Sequence, residues 1–201
     1  SPTVFIPLAE KSGLIARMGN WALRAACHQI QHWSEMDLPH GPIAVNVSMM
    51  QLGQGDLTET IATILEETGV PPQQLVLEIT ESVIMGDKDK SMQVLAELNA
   101  LGVGLSIDDF GTGYSSLAYL QQLDVTELKI DISFVRKLPT DSNSIAIVKA
   151  IIALGHSLGL KLIAEGVETR GQAKCLRDLG CDAIQGYWIS RPVPAEEMTA
   201  F

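Results

Sequence analysis

Residues 102–116 read Gly102-Val103-Gly104-Leu105-Ser106-Ile107-Asp108-Asp109-Phe110-Gly111-Thr112-Gly113-Tyr114-Ser115-Ser116. Val103 to Ile107 has the apolar, β-branched character of a short strand, and it runs into two adjacent acids followed by a glycine-rich loop. Successive side chains on an extended strand point to opposite faces. Asp108 and Asp109 can therefore share one site only if the strand stops at Ile107 and the chain has begun to turn. A purely structural reading is open as well, in which one of the two aspartates caps the helix that follows.

Working outward, the same alternation of short apolar runs and helical stretches repeats. Residues 5–36 have helical periodicity, with Leu14, Ile15, Met18, Trp21, Ala22, Ala25 and Ile30 on one face and an interruption near Ser12-Gly13. Residues 42–48 form the first predicted strand, followed by a helix over 57–68 that stops at Gly69 and Pro71. Residues 75–80 form the second, with a helix over 89–101; residues 103–107 form the third, with a short helix near 116–123. A fourth strand at 127–131 precedes a helix over 142–158, a fifth at 161–165 precedes one over 169–179, and a sixth spans 181–187. A last helix starts at Pro194-Ala195-Glu196-Glu197.

Six strands alternating with helices predict an α/β chain with a parallel sheet, either open or closed as a barrel. Neither GxGxxG nor GxxxxGK[ST] follows a strand, which favours closure over the usual open nucleotide-binding sheet. No linker or low-complexity segment divides the series, so one domain over 1–201 is expected.

Composition narrows the function. Of 201 residues, 46% are hydrophobic and 19% charged, which excludes a disordered chain. The net charge of −10, with a pI near 4.8, argues against binding a long nucleic acid. A small phosphorylated ligand is compatible with it when a divalent cation screens the acids. Cys27, Cys175 and Cys181 show no pairing or metal spacing and read as ordinary thiols of a reducing, cytoplasmic compartment. His28 and His32 have helical i, i+4 spacing but lack a third zinc ligand. No secretory leader or membrane-spanning stretch is expected.

Polar residues stand near the carboxyl end of each strand: Asn46, Glu78, Asp108, Lys129, Glu165 and Gln185. In a (β/α)8 barrel those ends converge on one face, where catalytic groups are drawn from several strands. Each residue has a bland alternative, such as a turn-stabilising Asn46 or an exposed Lys129. Carboxylates gathered on one rim nevertheless need cations, and Lys129 supplies a single charge. Oxygen donors without Cys or His suit Mg²⁺ or Mn²⁺. The pair Asp108 and Asp109 could bridge two such ions about 4 Å apart, as phosphodiester hydrolysis uses them.

The segments 5–10, 45–48, 77–82, 107–116, 128–131 and 164–169, with Gln185-Gly-Tyr187 and Ser190-Arg-Pro192, resemble the EAL domain family of bacterial cyclic di-GMP phosphodiesterases. The resemblance implies a modified (β/α)8 TIM-type barrel that hydrolyses cyclic di-GMP to linear pGpG with Mg²⁺ or Mn²⁺, as two ions, and that Ca²⁺ inhibits. It implies Asn46, Glu78 and Asp108 at a first metal, with Asp108 and Asp109 at a second. Lys129 would contact the attacking water or the phosphate, and Glu165 would act at the second metal or as general base. Gln185 would position water, with Asp131 and Glu168 counted beside it as cofactor-binding positions. Glu81 would hold the loop over 109–116. The resemblance further implies a homodimer, and fusion to sensor or GGDEF-type domains.

The Glu-Ala-Leu motif itself is missing, so the expectation is a domain lacking its N-terminal strands. A catalytically inactive cyclic di-GMP receptor is the alternative function, and an unrelated metal-using barrel enzyme is a third.

Overall fold

A computed structural model describes residues 1–81, 88–112 and 120–198. The chain forms two compact units, Ser1–Leu105 and Ser106–Phe201.

The first unit opens with helices α1 (Pro2–Lys11) and α2 (Leu14–Glu35), separated at Ser12-Gly13 as the sequence predicts. Helix α2 buries Leu23, Cys27 and Ile30, three residues at i, i+4 and i+7, and packs that stripe against α1 and the elements that follow. Those elements are β1 (Ile43–Asn46), α3 (Met49–Gln54), α4 (Leu57–Thr68), β2 (Leu75–Thr80) and α5 (Lys88–Leu101). Strands β1 and β2 pair in parallel, with Asn46 opposite Glu78. Five of the six β2 residues are buried, because a parallel strand has both faces covered. Fully enclosed Leu75, Leu77, Ile61 and Ile64 form the centre, each contributing about 1.5–3 kcal/mol of burial.

Strand β3 (Gly104–Phe110) leads into the second unit, which continues with β4 (Glu127–Ile130), α6 (Ile132–Val135), α7 (Ser142–Ser157), β5 (Lys161–Ala164), α8 (Arg170–Asp178), β6 (Ala183–Ile184) and α9 (Ala195–Met198). Strands β3, β4, β5 and β6 are parallel neighbours in that order. Helix α7 packs on β4 and β5, enclosing Leu128, Ile130, Val148 and Leu162. Its first turn is held by Asp141, whose carboxylate accepts from Ser144 N at 2.9 Å.

All six expected strands are present, and three expectations are corrected. Strand β3 does not end at Ile107; it runs through both aspartates to Phe110. The sixth strand is two residues long rather than seven, because Gly186 turns the backbone back toward Val167. Helices α3 and α6 were not expected, being too short to show a period. The short helix placed near 116–123 falls largely on residues outside the described ones.

A carboxylate cluster at the strand ends

In the first unit, the parallel register sets Asn46 beside Glu78, and Asn46 Nδ2 donates to Glu78 Oε2 at 3.1 Å. With Nδ2 committed to Glu78, Oδ1 is the atom of Asn46 that could hold a cation. Glu78 is buried although it carries a carboxylate, and Glu81, at the end of the same segment, is also buried. The loop that Glu81 is expected to hold lies partly at residues 113–116, outside the described residues.

In the second unit, the ladder between β3 and β4 pairs Ile107 with Leu128 and Phe110 with Ile130. Three steps on one strand match two on the other, so β3 carries a bulge at its aspartates. Asp109 takes the extra position with φ +56, a left-handed conformation that aspartate tolerates better than most residues. Its amide donates to Asp108 Oδ1 at 2.9 Å. This bulge, not a strand end, lets neighbouring carboxylates serve one site.

Lys129, only 3% exposed, reaches that site from β4. Its Nζ lies 2.6 Å from Glu165 Oε1 and 3.5 Å from Asp108 Oδ1. Glu165 follows β5 directly, its amide donating to Ile130 O at 3.1 Å. Asp108, Asp109 and Glu165 present carboxylate oxygens within 4.8 Å of one another. Burial pushes the Asp109 carboxyl up from its ordinary value; the charges of Asp108 and Asp131 and a hydrogen bond with Asp131 push the same way, and Lys129 opposes them. Three acids therefore face one ammonium in a partly desolvated pocket, a donor set of hard oxygens that fits a divalent cation.

The remaining predicted positions are less uniform. The Asp131 carboxylate accepts from Ser133 N at 2.8 Å and so caps α6, a structural task beside its bond with Asp109. Gln185 is exposed just beyond β6, its backbone tied to Ala164 and Val167. With Glu165 and Glu168 it lines a cleft that also includes Arg136 and Tyr187. The sequence reading missed Arg136; the signal was the cation pair Arg136-Lys137 just after the short helix that follows β4. Tyr187 carries the Arg191 guanidinium 4.6 Å above its ring. Gly186 at φ +152 has no room for a Cβ, which would run into the Val167 backbone, so the cleft wall there requires glycine.

MucR of Pseudomonas aeruginosa, a bifunctional diguanylate cyclase/cyclic di-GMP phosphodiesterase, is 48% identical over 200 residues, which is all of this chain and 29% of MucR. NbdA of the same organism, a cyclic di-GMP phosphodiesterase, is 42% identical over 200 residues and is spanned to 26% of its length. The chain thus spans under a third of either relative. The solved structure of the PaMucR phosphodiesterase in its c-di-GMP complex matches with a TM-score of 0.95 at 48% identity, over 98% of this chain and 80% of that one. The EAL domain of Mycobacterium smegmatis DcpA matches with a TM-score of 0.85 at 42% identity, over 90% and 82%. The α/β class read from the alternation is that of these structures. The EAL domain description matches residues 1–192, and on that match, with relatives of such identity, the chain belongs to the EAL domain family.

Proposed function

We propose that this chain is a metal-dependent phosphodiesterase domain that opens cyclic di-GMP to linear pGpG. The observation that carries the reading is the convergence of Asp108, Asp109 and Glu165 around the buried ammonium of Lys129. The names of MucR and NbdA support the substrate. Asn46 and Glu78 in the first unit, and Asp108, Asp109 and Glu165 in the second, would hold Mg²⁺ or Mn²⁺, two ions in all. Bound there, such ions supply positive charge that offsets phosphate charge and makes water nucleophilic near neutral pH.

The chain's own groups perform the rest. Glu165, held by Lys129 through Oε1, takes the proton from the attacking water. The water oxygen bonds to phosphorus, the bond from phosphorus to one ribose 3′-oxygen breaks, and the proton passes to that oxygen. Lys129 holds Glu165 and Asp108 in place through its ammonium and meets the phosphate charge as it develops. Gln185 orients the water, while Asp131 and Glu168 support the cleft that receives the nucleotide. Glu81 steadies the loop after Asp109. The domain works as a homodimer, attached to sensor or GGDEF-type domains.

Chromatography of cyclic di-GMP incubated with the protein tests this. With Mg²⁺ or Mn²⁺ pGpG accumulates; Ca²⁺, a larger ion that takes more ligands at longer distances, suppresses it. Asp108→Asn lowers turnover by about 100-fold or more, in keeping with loss of a charge that binds metal directly. Full turnover in Asp108→Asn would remove the site assignment, and binding without cleavage in the unaltered protein would make it a receptor.

A further inference from the structure

Gln51 of α3 is 3% exposed, and its Nε2 has no hydrogen-bond partner among the described residues. A buried donor left in this way is costly, so the side chain is held by something else. Its Oε1 accepts from Ser48 N at 3.2 Å and from Ser48 Oγ at 3.1 Å, and Ser48 Oγ in turn accepts from Gln51 N at 3.3 Å. This capping box closes the turn that leaves β1 two residues after Asn46. Val47, between them, donates its amide to Glu78 O at 2.9 Å. The other side of the Gln51 amide lies on Gly19, in the second turn of α2. A Cβ at Gly19 would fall within 2.5 Å of Gln51 Cδ and Oε1.

Glycine in a helix interior lowers helix stability relative to alanine, so Gly19 needs a local reason. The reason is the Gln51 amide, which occupies the space of the missing side chain. Moving that amide breaks both bonds to Ser48 and releases the turn that carries Asn46.

We infer that Gly19 and Gln51 form a lock in which Gln51 is a positioning residue for Asn46, setting the amide that, on the proposed function, ligates metal. The lock acts on affinity for the ion, through a residue that touches neither ion nor nucleotide. Supporting ligands behind a metal site typically change affinity or activity by about 10–100-fold when removed.

The test is a Mn²⁺ titration by electron paramagnetic resonance, without nucleotide, on the wild type, Asn46→Ala, Gly19→Ala and Gln51→Met. Gln51→Met keeps the volume and removes the bonds to Ser48, so it stands in if Gly19→Ala fails to fold. The expected result is Mn²⁺ affinity about 10-fold weaker in Gly19→Ala and Gln51→Met at unchanged helix content, with kcat reduced more than KM. Weakened binding in Asn46→Ala with wild-type binding in folded Gln51→Met overturns the lock alone. Wild-type binding in Asn46→Ala overturns the metal assignment at Asn46 and the lock with it.

Discussion

Asp109 shows how one residue's backbone decides which side chains meet. A regular strand would send Asp108 and Asp109 to opposite faces. The bulge and the φ of +56 re-aim the second carboxylate. The left-handed conformation costs about 1–2 kcal/mol for an ordinary residue and less for Asp or Asn, whose side chains bond locally. Asp109→Asn should therefore keep the fold while losing metal affinity. Asp109→Val places a β-branched side chain at the same φ and should unfold at lower urea, by about 1–2 kcal/mol relative to Asp109→Asn. Equal urea midpoints for the two variants would show that the backbone at 109 relaxes freely and that the bulge is not fixed. The sequence disclosed the adjacent acids and their shared site, but not the device. An Asp-Asp pair followed by Phe carries no signature separating a bulge from a strand end, and only the pairing with β4 does so.

At the scale of elements, long periodic segments were legible and short ones were not. Helix α2 and the buried run of β2 were legible as elements, but the face of α2 was misassigned: Leu14, Met18 and Trp21 are exposed, and Ile15, Ala16, Leu23, Cys27 and Ile30 form its buried side. Helices α3 and α6 have six and four residues, too few for a period; their trace is chemical, in the caps Ser48 and Asp131. Strand β6 is held by its ladder to β5 and also by Asp182, just before it. The Asp182 carboxylate accepts from Leu162 N of β5 at 2.8 Å and from His156 Nε2 of α7 at 2.9 Å. The backbone bond from Leu162, and then His156, hold its carboxyl below the ordinary value. A carboxylate depressed in the folded state adds stability above its unfolded pKa of about 3.9, and that stability is lost as pH falls through the lower folded value. Asp182→Asn should thus be less stable than wild type at pH 5 to 7, by about 0.5–1 kcal/mol for a side chain this exposed. The gap should begin to narrow near about pH 3.9 and close as pH falls through the lower folded value. Denaturant unfolding across that range measures it, and a gap independent of pH would mean that the Asp182 charge contributes nothing.

Over the whole molecule, acidity and function meet in a single balance. The 46% hydrophobic content supplies a core, and the alternation of elements pointed to the α/β class and a parallel sheet, whereas the order β1 to β6 is visible only in the ladders. The acids at the strand ends were legible as a pattern because polar residues interrupt otherwise apolar runs. How each one is held was not legible, since Lys129 reaching Glu165 and Asp108 depends on register. A chain of net charge −10 that gathers Asp108, Asp109 and Glu165 about one ammonium holds repulsion that a bound dication relieves. An ion that binds only the folded state stabilises it by about 2.7 kcal/mol at 100 times its dissociation constant. Thermal melting in EDTA and in saturating Mn²⁺ should therefore differ by several degrees for the wild type. Asp108→Asn removes one acid from the cluster and eases the charge beside Asp109, while Lys129 retains Glu165. Its metal-free form should melt no lower than the wild type, and its gain on adding Mn²⁺ should fall to a small fraction. If Asp108→Asn instead loses stability in EDTA and keeps the full Mn²⁺ gain, the cluster is a structural ion-pair network and the cation binds elsewhere.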